Sequence, residues 1–354
     1  MKHAFPILLA GLVTTACQTQ QVDNSPKVAV AKINAEFSIN GSLLPDFYGE
    51  QVVYTTPEKR SIRDDIKFDS FLMKWANSDE ATIARLDLNK AYSVDYKKER
   101  YSECELSGCN EVSFLDQLKE SDESDDTEEY QDYEELGCQV DLVTNDFNVT
   151  QTGKKRKLNG FDVEQYQVLW TTEYQDTQGQ KDVNLISFDF WTTTPNANIN
   201  EVWDIHGQFQ DSISKTVTSD PLVRLLGPKG YKAIAAFTGD TNNQENQFGG
   251  VIGKELAKVK GYPISIKFEW TRNSQACQAE KQAQSDKLNL EGGIEGVGKQ
   301  LLGNFAKKST DKLMDSWKKK PLVRYVYEIK SVAMATAHES NFDVPAGYDL
   351  VDRQ

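Results

Sequence analysis

The side chains best suited to chemistry are scarce in this chain of 354 residues, which has five cysteines and three histidines. His3 falls in the opening apolar stretch. Of the other two, neither His206 nor His338 lies in an HExxH, a Cys/His pair or a triad-like context, and the chain contains no GxSxG and no GxxxxGK[ST]. His206, beside Trp203 in a segment with helical character, reads as a packed or surface histidine rather than a ligand or base. His338, in the polar run "TAHES", reads the same way. Carboxylates are so numerous, 54 acidic against 40 basic residues, that pairs of them can be drawn almost anywhere and select nothing. We therefore expect neither an enzyme nor a cofactor.

The first cysteine belongs to a different kind of signal. "MKHAFPILLAGLVTTAC" has Lys2, an apolar run from Phe5 to about Ala16 and small residues before Cys17, a run too short to cross a bilayer, which needs about 20 residues. It resembles a bacterial lipoprotein signal, with Thr14 where Leu is usual. This predicts a signal peptide over 1–16, acylation of Cys17 and a tether over 17–27. Gln18 stands where an Asp would argue for inner-membrane retention, and by resemblance to the lipoprotein sorting rule this implies an anchor on the periplasmic face of the outer membrane. An oxidising periplasm and an even remainder, Cys104, Cys109, Cys138 and Cys277, predict two disulfides. Four cysteines allow three pairings. Of these we favour Cys104 with Cys109, since "CELSGC" places Ser107 and Gly108 where a tight reversal could bring them together, with Cys138 then meeting Cys277. The spacing is not that of a zinc ribbon, and no metal site is expected.

The formal net charge of −14 comes mostly from one segment, "ESDESDDTEEYQDYEE" at 120–135, with ten carboxylates and no Lys or Arg. It reads as an acidic loop over 118–136, without the glycine and ligand spacing of a calcium loop. An acidic chain also lacks the basic face that phosphates require, so nucleic acid is not an expected partner.

The elements that must position any site are mainly strands. "KINAEFSING" alternates Ile33, Ala35, Phe37 and Ile39 with polar neighbours, and "GEQVVYTTPEKR" and "RDDIKFDSFLMKW" continue as short β runs. "ATIARLDLNKAYSVDYKKERYSEC" reads as a meander with turns at "DLNK" and "DYKK". "CQVDLVTNDFNVTQTG", "FDVEQYQVLWTTEY" and "VNLISFDFWTTT" follow, with turns near Gly153, Asn159–Gly160 and Gln178–Gly179. Helical candidates, "NINEVWDIHGQF" first among them, mark an insert over 196–258 before sheet resumes at "YPISIKFEW". A second insert, over 278–320, has an apolar stripe through Leu301, Phe305, Leu313 and Trp317 opposite Lys299, Lys307, Lys308 and Lys312. It reads as a lid over an apolar cavity, a helix on anionic lipid, or an ordinary packed helix. Its glycines weaken it by up to about 1 kcal/mol each relative to Ala. "PLVRYVYEIKSVAMA" is a strong strand, and in "NFDVPAGYDL" Pro345 and Gly347 let Phe342 and Tyr348 fold back onto the sheet margin.

The strand series "ATIARLDLNKAYSVDYKKERYSE", "LNGFDVEQYQVLW", "FDFWTTT", "KGYPISIKFEW" and "NFDVPAGYDL" resembles bacterial lipoproteins of the LolA/LolB-like superfamily over most of residues 28–352. The resemblance implies a mainly antiparallel α+β domain, a single curved half-open β-barrel covered by helical inserts, enclosing an apolar cavity. The acidic loop and the basic glycine-containing insert depart from it. Three functions follow in order: a non-enzymatic, membrane-anchored binder of a lipid, acyl chain or other apolar ligand; a structural or interaction component of the cell envelope; and a hydrolase with scattered carboxylates.

Overall fold

A computed structural model describes residues 23–42, 45–106, 109, 137–194, 196–214, 258–280 and 321–353. Its strands are β1 (Lys27–Gly41), β2 (Phe47–Thr55), β3 (Lys59–Phe68), β4 (Ser78–Arg85), β5 (Lys90–Asp95), β6 (Arg100–Cys104), β7 (Val140–Leu158), β8 (Phe161–Asp176), β9 (Lys181–Thr193), β10 (Tyr262–Ser274), β11 (Val323–His338) and β12 (Asp349–Arg353). They form one 12-stranded sheet in the order β12-β6-β5-β4-β3-β2-β1-β11-β10-β9-β8-β7. The sheet is open, with β12 and β7 as its edges. Every pairing is antiparallel except β12 with β6. One helix, α1 (Ala197–Ser214), occupies the described part of the first insert.

Local chemistry accounts for the connections. The two-residue β7–β8 loop, Asn159–Gly160, has φ of 50° and 88°, the double positive φ that a tight hairpin needs and that Asn-Gly supplies. The "DLNK" and "DYKK" turns likewise close β4–β5 and β5–β6. β1 joins the two halves, pairing with β2 on one side and β11 on the other. Opposite Phe37 on β2 lies Gly49, where an added Cβ would sit 2.4 Å from the Phe37 ring. That glycine makes room for the aromatic.

Period-2 alternation divides the two faces. On one, Ile39, Tyr166, Val168, Ile186, Phe188, Phe190, Ile266, Phe268, Trp270 and Val323 form a single buried cluster. On the other, Lys267 bridges Asp189 and Glu269, Glu269 receives Arg324, and Lys330 bridges Glu36 and Glu328. The sheet also bends. At the β7–β8 hairpin tip, Asn159 Nδ2 donates to the Ile329 carbonyl of β11 across 2.8 Å, although β8, β9 and β10 separate β7 from β11 in the order.

The disulfides pair as expected, Cys104 with Cys109 and Cys138 with Cys277, at Cα separations of 5.1 and 6.0 Å. Three local readings need correction. The strand expected through "FLMKW" stops at Phe68, because Asn77 Oδ1 accepts the Phe68 N–H, and Phe71–Ala76 forms a 3-10 turn. Gly153 is no turn: β7 runs through it, absorbing its φ of 73° as an irregularity between Gln151 and Lys155. The chain also does not end in a clamp alone. Phe342 is fully buried among Val30 and Ala337, and Tyr348 packs edge-on to Tyr96. Gly347, at φ 89°, then turns the chain into β12, which adds parallel to β6. Residues 1–22, the acidic loop over 118–136, and the remainder of the two inserts lie outside the described residues.

Candidate functional site

The apolar face is where sequence and packing converge. Along α1, Ile199, Val202 and Phe209 are buried, and His206 falls on the same stripe at helical spacing. The helix lies against β1, β2 and β11. Trp203 meets Tyr262 of β10 edge-on at 4.1 Å between ring centroids, and the Phe209 ring sits 5.8 Å from the Arg60 guanidinium of β3.

Under this helix the apolar floor becomes polar. On β3, Arg60, Ile62, Asp64, Ile66 and Phe68 share a face by alternation, and Thr55 of β2 is directly opposite Arg60. Asp64 is buried and accepts from Gln51 Nε2 at 2.8 Å, while Gln51 Oε1 accepts from the Tyr327 hydroxyl at 2.9 Å. That chain of bonds occupies the nearest inward carboxylate. Arg60 differs, since its Nε, Thr55 Oγ1 and His206 Nε2 are buried and lack a hydrogen-bond partner among the described residues. No ion pair to Arg60 exists among the described residues.

Burial sets the proton affinities here. Desolvation, and then the Arg60 charge, press His206 down to about 3 from its ordinary 6.5, so the ring is neutral at physiological pH. Burial likewise pushes the phenols of Tyr262, Tyr325 and Tyr327 well up, which keeps them protonated donors. It lowers Arg60 from its usual value, partly offset by Tyr327 and Tyr262, yet a guanidinium remains charged in water near neutrality. Arg60 and His206 nevertheless retain some accessible surface.

The opposite face has a hollow of about 460 Å³ lined by Arg63, Tyr96 and the C-terminal segment. Its cation is satisfied: Arg63 makes two hydrogen bonds to Asp79 at 2.8 Å each and stacks 4.0 Å over Tyr96. Cys138, Cys277 and Glu280 group closely enough to suggest a metal site, but the two sulfurs are bonded to each other, which leaves one ordinary donor. His338 caps β11, its Nδ1 2.9 Å from the Ser25 carbonyl, and so ties the N-terminal segment to the C-terminal one.

Of the residues singled out from the sequence, the four cysteines are brought together in pairs. Cys17, Leu301, Phe305, Leu313 and Trp317 lie outside the described residues. Sequence reasoning missed Arg60, Thr55, Gln51, Asp64, Tyr262 and Tyr327. The available signal was "KRSIRDDIKF", whose alternation sets two charged side chains, Arg60 and Asp64, on the face of Ile62, Ile66 and Phe68. It also missed the tip between β3 and β4, where Phe71, Leu72 and Trp75 are 80%, 80% and 74% exposed. No protein-family model, no curated protein and no solved structure matches the chain.

Proposed function

We propose that the protein is a non-enzymatic, lipid-anchored carrier or receptor on the periplasmic face of the outer membrane. It holds a lipid, acyl chain or other apolar ligand against the helix-covered face of its sheet, in the manner implied by the LolA/LolB-like resemblance. The observation that carries this reading is the asymmetry of the sheet, with two buried aromatic and aliphatic clusters forming an apolar floor opposite a ladder of ion pairs. The floor is bent by the docking of Asn159 on β11 and roofed in part by α1. A concave, mostly apolar surface with few convergent polar groups is the usual form of a small-molecule site. Equilibrium uptake of a polarity-sensitive fatty-acid probe by the mature chain tests it: saturable, competable binding is expected, and no uptake would remove the carrier reading.

A second reading, an interaction component of the envelope, is favoured by the exposed Phe71, Leu72 and Trp75. Three large apolar side chains at one loop tip suit an apolar partner or a membrane surface. Under this reading the floor is filled by the chain's own side chains.

A further inference from the structure

We propose that Arg60, with Thr55 and His206, is the head-group site for an anionic amphiphile whose tail lies along the aromatic floor. This deepens the carrier reading and rests on it. The three groups come from β3, β2 and α1 and present buried polar atoms that have no hydrogen-bond partner among the described residues. Such atoms are rare in folded proteins because each forfeits its hydration without replacement. A cation in this position has a still stronger need for a counter-charge. The inward carboxylate on its own strand, Asp64, is four residues along, roughly 13 Å at strand rise, and is already bonded to Gln51.

The surroundings fix the chemical class. Tyr262 of β10 and Tyr327 of β11 act on Arg60 electrostatically; the Tyr327 hydroxyl already donates to Gln51, which leaves the Tyr262 hydroxyl as the added donor. The set therefore offers one guanidinium, hydroxyls and an imidazole, with no free acid among the described residues facing it. That suits a carboxylate or a phosphate ester and disfavours a cationic head. The tail has an obvious bed. On β10, Ile266, Phe268 and Trp270 share this face, roughly 13 Å at strand rise, and Ile264 continues the apolar lining past the irregularity between Pro263 and Ser265. The Phe209 ring over the guanidinium orients the cation without neutralising it.

Displacement of Nile red from the mature protein by dodecanoate, dodecyl phosphate and uncharged dodecanol tests the assignment. The wild type should prefer at least one of the anions, and the better of the two identifies a carboxylate or a phosphate head. Arg60→Gln should weaken anion binding about 10- to 100-fold, as expected for loss of a charge-assisted contact, and leave dodecanol unchanged. Arg60→Lys should restore part of it. Because the change removes an unpaired charge, Arg60→Gln should also melt no lower than the wild type when ligand-free. If the variant fails to fold, the role of Arg60 is structural and the proposal falls. Thr55→Val gives an independent check, with a smaller loss for anions only. Equal affinity for all three amphiphiles, or anion affinity unchanged in folded Arg60→Gln, overturns the head-group site while sparing the carrier reading. Failure of Nile red and every amphiphile to bind overturns both.

Discussion

Replacing Cys138 and Cys277 together by Ala should cost the protein more stability than any single side chain on the outer face. The bridge spans a sequence separation of 139 residues. On the chain-entropy count such a closure contributes about 5 kcal/mol, at the top of the range of about 2–5 kcal/mol found on removing native disulfides. Its position suggests a large effect, because β7 is an edge strand with most of its residues exposed. The bridge fastens the start of β7 to the turn after β10. There Ala276 and Cys277 are buried, and their N–H groups donate to Asp182 and Asp176 at 2.7 and 2.9 Å. Urea unfolding followed by tryptophan fluorescence should show a loss of about 2–5 kcal/mol. Amide exchange should accelerate over Val140–Val149 before it does in β1. Unchanged unfolding in the double variant, or alkylatable thiols at both positions in the wild type, would refute the reasoning.

Phe342→Ala should cost about 3–5 kcal/mol, the usual loss for a fully buried Phe, and a change below about 1 kcal/mol by urea unfolding would contradict its packing on Val30 and Ala337. His206 binds its proton at about 3 when folded against an ordinary 6.5, so the unfolded chain takes up a proton that the folded one refuses. Its contribution is complete above pH 6.5 and is lost as pH falls toward about 3, by at most about 1.4 kcal/mol per unit, and by less given its remaining solvent contact. The destabilisation caused by His206→Gln should accordingly shrink on acidification, and a pH-independent difference would show the ring to be solvated. Replacing Phe71, Leu72 and Trp75 by Ser should leave melting nearly unchanged, as exposed sites do. The same variant should bind phospholipid vesicles more weakly, and undiminished binding would exclude the tip as a contact.

Much of the sheet was legible because its strands are amphipathic: β1, β4 to β6 and β8 to β10 follow period-2 alternation, and Asn159–Gly160 names its own hairpin. The cysteine pairs were legible because a five-residue spacing left one partner for each remaining sulfur. What escaped depends on neighbours distant in sequence. β12 exists through pairing with β6, an edge some 250 residues earlier in the chain, and "DLVDR" carries no apolar alternation to announce it. Phe71, Leu72 and Trp75 read as part of a short β run because hydrophobicity does not reveal whether a surface covers it. Arg60 resembled an ordinary solvated charge until α1 was laid over it, since its loss of water is a property of the tertiary fold. Its placement among Ile62, Ile66 and Phe68 was a local inconsistency, the kind that marks functional positions.

The measurement closest to the central claim is native mass spectrometry of the protein purified from its own host in mild detergent, compared with the same sample after denaturation. The carrier account predicts a folded species heavier than the denatured, N-terminally acylated chain by the mass of one amphiphile, lost on unfolding. Identical masses before and after denaturation, together with no uptake of an added fatty acid, would contradict it.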